Sequence, residues 1–215
     1  MNTCSPAHSV SPGLSTLPEV ALDRHHQAIF EAAERTCGAP KIYRHRLLAE
    51  AHDVLALCQL SGRLQVLWLD LVVGLRAKLS LEVPVPCLPD PVGPLQVARC
   101  ALLGLLYPQE AIVMPLPGHA FVRILAPRPV WLGCVSPDAN QIVCLGPRLP
   151  AGIPVREIIL MTYGALSMQS TLINVHDPAG VANAEAAVWW QCPANARRIP
   201  LTREPFLRDE VNHVP

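Results

Sequence analysis

Hydrophobic and polar positions along the chain follow two periods, and the order in which they alternate predicts the architecture. In residues 41–60, KIYRHRLLAEAHDVLALCQL, apolar Leu47, Leu48, Ala51, Val54, Leu55 and Cys58 recur at three-to-four spacing. Charged Arg44, Arg46, Glu50 and Asp53 occupy much of the rest. That is the 3.6-residue period of an amphipathic helix, and Ser61-Gly62 ends it. An earlier helix is expected over 21–36, ALDRHHQAIFEAAERT, with Leu22, Ile29, Ala32 and Ala33 on one side and Gly38 and Pro40 as stops. From Leu64 the period shortens to two. Leu64, Val66, Trp68 and, past Asp70, Val72 predict one strand. Leu79, Leu81, Val83 and Val85 alternate with Lys78, Ser80 and Glu82, which predicts a second strand with one wet face. Prolines in 84–94 mark a turn. Residues 95–106, LQVARCALLGLL, predict a third, more buried strand ended by Tyr107-Pro108, and 119–125, HAFVRIL, a fourth. No long parallel crossover separates them, so an antiparallel meander is the economical topology.

Beyond the fourth strand the periodicity breaks. Residues 126–150 form an irregular, proline-rich run with three apolar patches and Cys144 inside it; a loop of this length without structure of its own is usually functional. Residues 153–169, IPVREIILMTYGALSMQ, predict a helix with Pro154 in its first turn. Residues 180–192, GVANAEAAVWWQC, predict another, with Asn183 placed to cap it. The class is α+β, with helices segregated from the sheet. Residues 1–40 read as an N-terminal extension, a flexible Pro/Ser arm and then the first helix. Residues 41–198 are the folded domain, and 199–215 are a polar tail.

Composition narrows the function classes. The 215 residues are 51% hydrophobic and 16% charged, enough to bury a core. Seventeen basic residues balance seventeen acidic ones, so no net field favours nucleic acid or an anionic membrane. The most apolar windows, 64–75 and 100–106, are too short to span a bilayer, and the N-terminus lacks the pattern of a signal peptide. The expected compartment is the cytoplasm, where the eight widely spaced cysteines stay mostly reduced. No CxxC pair occurs, and the vicinal His25-His26 reads as a surface pair, so neither metal nor cofactor is expected. Of the basic residues only Lys41 and Lys78 are lysines. A GC-rich coding preference accounts for that, although a carrier of activated acyl groups also benefits from having few amines of its own.

Three local motifs, in the order above, resemble the ubiquitin-conjugating enzymes in their bacterial form. The first is Gln141-Ile142-Val143-Cys144-Leu145-Gly146, similar to the short apolar run around that family's active-site cysteine. The second is Tyr107-Pro108 with Pro115 and Pro117 following, similar to the Tyr-Pro that ends the family's third strand. The third is Asp177-Pro178 followed by Ala182-Asn183-Ala184-Glu185-Ala186-Ala187, similar to the family's Asp-Pro loop and Leu-Asn-x-Glu-Ala-Ala helix start. The resemblance covers about residues 41–195. It implies the ubiquitin-conjugating fold and a carrier that accepts a ubiquitin-like modifier from an adenylating activating enzyme as a thioester on Cys144. The modifier then passes to the amine of a protein target. It also implies a small bacterial conjugation operon, with antiphage defence as one setting. The family's His-Pro-Asn before the cysteine is Ser136-Pro137-Asp138 here. A carboxylate is a poor oxyanion stabiliser, which leaves Asn140 as the substitute donor. Asp177 stands where the family places a residue that lowers the pKa of the incoming amine, and His176 beside it is a candidate base.

The chemistry itself is undemanding. A thiolate attacks an activated acyl group and holds it until an amine arrives, so the sulfur must be reachable. Transthiolation starts from a leaving group as good as the nucleophile, so no protease-like triad is needed. Each residue also has a plainer reading. Cys144 alone, in IVCL, reads as a core thiol, and Asp177-Pro178 as a helix-start turn. Cys134 sits among Trp131, Leu132 and Val135, which read as a buried strand. Of the adjacent Trp189 and Trp190, one is expected in the core. Two other functions remain open: an inactive variant of the same fold acting as a binding module, and a cysteine hydrolase using Cys144, His176 and Asp177.

Overall fold

In a computed structural model of the chain, residues 22–36, 40–88, 93–169, 181–196 and 204–207 are described. The first helix, α1 (Arg24–Thr36), begins two residues after Leu22. Asp23 starts it, its Oδ1 accepting the His26 N–H at 2.8 Å. That bond holds the exposed Asp23 carboxyl below the ordinary carboxylate range. Helix α2 (Lys41–Ser61) ends where Gly62 adopts φ 61°, the left-handed position that glycine takes without a Cβ penalty. The strands are β1 (Leu64–Asp70), β2 (Leu75–Cys87), β3 (Gln96–Tyr107) and β4 (Val122–Ala126). A short α3 (Glu110–Val113) and a 3₁₀ turn (Gly118–Ala120) lie between β3 and β4. Helices α4 (Val155–Leu166), α5 (Ala184–Gln191) and the single-turn α6 (Pro193–Ala196) follow.

The sheet is an antiparallel meander in the order β1-β2-β3-β4. Leu64 pairs with Leu81, Leu75 with Tyr107, and Leu103 with Ile124. Because strand side chains alternate between faces, Leu75, Ala77, Leu79, Leu81, Val83 and Val85 all point inward and are buried. Ala101, Leu103, Leu105 and Tyr107 of β3 join them, as does Ile124 of β4. Helices α2 and α4 pack on this inner face. The outer face carries Arg76, Lys78, Leu106 and Arg123 around a groove of about 500 Å³, with the Lys78 ammonium 5.9 Å from the Trp68 ring centre.

Three expectations shift. The second strand runs on through Pro84 and Pro86 to Cys87, into the segment read as a turn. The first strand stops at Asp70, and Val72 lies exposed in the turn, where the Asp70 carboxylate accepts its N–H at 3.0 Å. The fourth strand starts at Val122, three residues late, because the Gly118–Ala120 turn takes up residues that alternate as a strand would. Asn183 caps α5 as expected, its Oδ1 accepting the Ala186 N–H at 3.0 Å. Trp190 is the core tryptophan, and Trp189 is partly covered. The polar tail is not wholly peripheral. Glu204 pairs with buried Arg63, and its carbonyl accepts from the Tyr163 hydroxyl at 2.7 Å. Phe206 is buried edge-on against Tyr163. No helix among the described residues is long and apolar enough to cross a membrane.

Glu50 departs most from its helical pattern. It falls on the charged side of α2, yet it is buried. Its carboxylate accepts the first N–H of α4, from Val155, at 2.7 Å and meets Arg46 at 2.5 Å. Helices α1 and α4 and strands β1 and β2 all pack against α2, and the start of α4 closes over Glu50. Desolvation raises the Glu50 carboxyl above its ordinary value, against the opposing pull of the Val155 N–H and Arg46. A carboxyl raised by folding binds its proton more tightly in the folded state. Stability attributable to it is therefore greatest at acid pH. It falls as the pH rises from the unfolded value of about 4.3 through the raised folded one. Relative to Glu50→Gln, the wild-type urea midpoint should fall across that window. A pH-independent difference between the two proteins would contradict this account.

Candidate functional site

The long loop after β4 is stitched into a small two-stranded ribbon. Val135 and Val143 bridge antiparallel. The Cys144 N–H donates to the Cys134 carbonyl at 2.7 Å, and the Ser136 N–H to the Ile142 carbonyl at 2.9 Å. The ribbon's second strand also lies along β4. The Ile124 N–H donates to the Gln141 carbonyl, and the Val143 N–H to the Val122 carbonyl, both at 2.9 Å. Residues 141–143 thus extend the sheet past its fourth strand. Ala182 and Asn183 donate their N–H groups to the Gly133 carbonyl at 2.9 and 3.0 Å, and Trp190 Nε1 donates to the Trp131 carbonyl at 2.7 Å. The start of α5 is thereby fixed to the ribbon's first strand.

Alternation along this ribbon decides the exposure of each thiol. Val143 is fully buried and Leu145 nearly so, while Cys144 between them is only partly buried. Its Sγ lies 3.9 Å from the Gly146 carbonyl oxygen. Cys134 is buried as the sequence reading has it, its Sγ 3.6 Å from the Ala165 carbonyl of α4. Burial pushes the Cys134 thiol up to about 12, with the neighbouring Cys144 adding to the rise. Of the two thiols in the loop, the one toward solvent is Cys144.

The tip of the ribbon holds Asp138 and Asn140, both exposed. The Asp138 carboxylate accepts the N–H groups of Asn140 and Gln141 at 2.7 and 3.2 Å, forming a side-chain turn. It closes the hairpin. At roughly 3.3 Å per strand residue, the three steps from Gln141 to Cys144 span roughly 10 Å. Asp138 and Asn140 therefore belong to the same ribbon as the thiol but to its far end. His176 and Asp177 lie outside the described residues, so the hydrolase grouping and the amine-activating position are not placed. Among the described residues no cluster of three or more His, Cys, Asp or Glu side chains fits a metal ion.

Two residues that shape the site carried no sequence signal or only a weak one. Gln141 is buried at φ 47°, a left-handed conformation uncommon outside glycine. Its Oε1 accepts the Val130 N–H at 2.5 Å, and its Nε2 donates to the Pro127 carbonyl at 3.1 Å. One side chain thus ties the loop's beginning to the strand that leads to Cys144. Gly118 is the second; only its neighbour Pro117 stood out in the sequence. A Cβ there would stand 2.4 Å from the Gly146 carbonyl oxygen and 2.9 Å from the Leu145 carbonyl carbon. Gln141→Ala leaves the buried Val130 N–H and the half-buried Pro127 carbonyl unpaired, at about 1–3 kcal/mol for the donor and less for the carbonyl. A loss of about 2–4 kcal/mol in urea unfolding is expected, with faster hydrogen exchange at Val130. A loss below about 0.5 kcal/mol would show that water replaces the amide without cost.

Compared with known proteins, the chain matches no family model, no curated protein and no solved structure.

Proposed function

We propose that this chain is a ubiquitin-like-protein conjugating enzyme. It takes a modifier from an adenylating activating enzyme as a thioester on Cys144 and passes it to a protein amine. The observation that carries the reading is the setting of that thiol. Cys144 is partly exposed on a ribbon whose flanking residues, Val143 and Leu145, anchor it in the core. A nucleophile that must receive a bulky acyl group needs both features, access for the sulfur and a rigid backbone beneath it. The order of elements supports the same reading: a helix, a four-stranded meander, a long loop with the thiol and further helices. It is the order that the ubiquitin-conjugating fold would require. The sequence motifs around Cys144, Tyr107-Pro108 and Asn183 add to it. In this reading the protein is cytoplasmic, works without metal or organic cofactor, and belongs to a bacterial modification system of the kind used against phage.

One observation favours a second reading, an inactive member of the same fold that only binds partners. The Asp138 carboxylate is committed to its own turn, and the ribbon tip stands away from the sulfur. In this reading the tip supplies no oxyanion donor. The two readings separate on mixing the protein with modifier, activating enzyme and ATP. A carrier gives an adduct that thiol reductant removes. Partner binding without any adduct supports the second reading and ends the first.

A further inference from the structure

We propose that Cys134 and Cys144 form a reversible disulfide under hydroperoxide, with Cys144 the thiol that meets the oxidant and Cys134 the thiol that resolves it. Their positions in the ribbon carry the idea. Val135 and Val143 are a bridged pair, flanked on one side by the Cys144 N–H to Cys134 carbonyl bond and on the other by the Ser136 N–H to Ile142 carbonyl bond. Counting outward from that pair, Cys134 and Cys144 occupy facing positions. Facing residues in an antiparallel ladder stand about 4.5–5.5 Å apart at Cα, inside the window of about 4.4–6.8 Å that a disulfide spans. Strand alternation sends both sulfurs to the same side, opposite the two buried valines. The other described cysteines lack this relation. In the sheet register Cys87 faces Gln96 and Cys100 faces Glu82, while Cys58 lies on α2 and Cys192 follows α5.

Exposure divides the roles. Cys144 is reached from solvent and Cys134 is not. The Cys144 thiolate attacks the hydroperoxide O–O bond, forming the S–O bond of a sulfenic acid and releasing hydroxide or alkoxide. Cys134 sulfur then attacks the Cys144 sulfur, the S–O bond breaks, and hydroxide leaves. The two thiol protons neutralise the released anions. The sum is two thiols and one hydroperoxide giving one disulfide, one water and one further water or alcohol. Burial keeps Cys134 protonated, which slows the second step. A partner held in the facing position acts at an effective concentration that reaches about 10⁵ M for well-aligned groups, which offsets the scarcity of thiolate. The bond would remove the Cys144 nucleophile until a dithiol reopened it. The chemistry does not depend on Cys144 carrying an acyl group, so this proposal and the carrier reading fail separately.

The test treats the full chain with one to ten equivalents of hydrogen peroxide, blocks remaining thiols, and maps peptides without reduction. The expected product is a monomer that has lost two thiols, with the peptides of Cys134 and Cys144 joined and both restored by dithiothreitol. In Cys134→Ala, checked for native circular dichroism, sulfinic acid on Cys144 should rise about tenfold because no thiol intercepts the sulfenic acid. Sulfinic acid on Cys144 in the wild type at the same yield as in the variant would overturn the proposal, and so would a disulfide joining any other pair. The wild-type map alone decides the matter should the variant fail to fold.

Discussion

Replacing Cys144 by serine is expected to abolish the reductant-sensitive adduct formed with modifier, activating enzyme and ATP. A slow, reductant-stable ester should take its place. The serine hydroxyl is a much weaker nucleophile than a thiolate, so loading should slow by at least about a hundredfold. The product is an oxygen ester, which dithiothreitol does not cleave. Cys144→Ala should give neither adduct. The Cys144 side chain is partly exposed and its Sγ lies 3.9 Å from the Gly146 carbonyl, a weak hydrogen bond at most. Both variants should therefore unfold within about 1 kcal/mol of the wild type, and loss of the adduct cannot be assigned to loss of the fold. A full-strength thioester persisting in Cys144→Ser would move the carrier to another sulfur. Cys100 and Cys192 are the described cysteines more exposed than Cys144.

Gly118→Ala is expected to be the most damaging small substitution near the site. The new Cβ would meet three backbone atoms at 2.4, 2.8 and 2.9 Å, belonging to Leu145 and Gly146. No side chain can swing away to relieve that contact, so the backbone beside Cys144 must move. Overpacking of this kind costs about 3 kcal/mol or more. Denaturant unfolding should show that loss, and a small disulfide reagent should react faster with Cys144. The contrast is Gly62→Ala, where a Cβ meets nothing within 4 Å but φ is 61°. That change should cost about 1 kcal/mol through backbone strain alone, without altering Cys144. Equal, small costs at the two positions would mean that the 118–146 contact is loose.

Where a single period dominates a segment, pattern alone located the element. Leu79 to Val85 alternates without interruption, and β2 buries those side chains. Asn183 stands before a run of alanines, and its side chain caps the helix there. These are local choices, made by side-chain spacing and by which residues satisfy a helix end. The failures share a cause as well. Residues 119–125 alternate like a strand, but a 3₁₀ turn takes the first of them because Gly118 must press against Gly146, which lies 28 positions further along. Glu50 sits on a charged stripe, but α4 brings the N–H of Val155 to it from 105 residues away.

The candidate site divides in the same way. Cys144 stood out through the resemblance of the three motifs and the proline-rich run around it, because its apolar neighbours alone read as core. The partition between an outward Cys144 and an inward Cys134 was foreseen only in outline, and the register that places them face to face was not foreseen at all. Gln141 opens the motif around Cys144, but nothing there marked what its amide does; that role exists only because Val130 and Pro127 come within reach of it. The amino-acid order by itself determined the helices, the strands and their antiparallel succession, because those depend on spacing within a dozen residues. Tertiary structure alone decided which groups of the long loop meet, because hydrogen bonds between distant backbone groups form only after the sheet and helices have packed and fixed the loop's two ends.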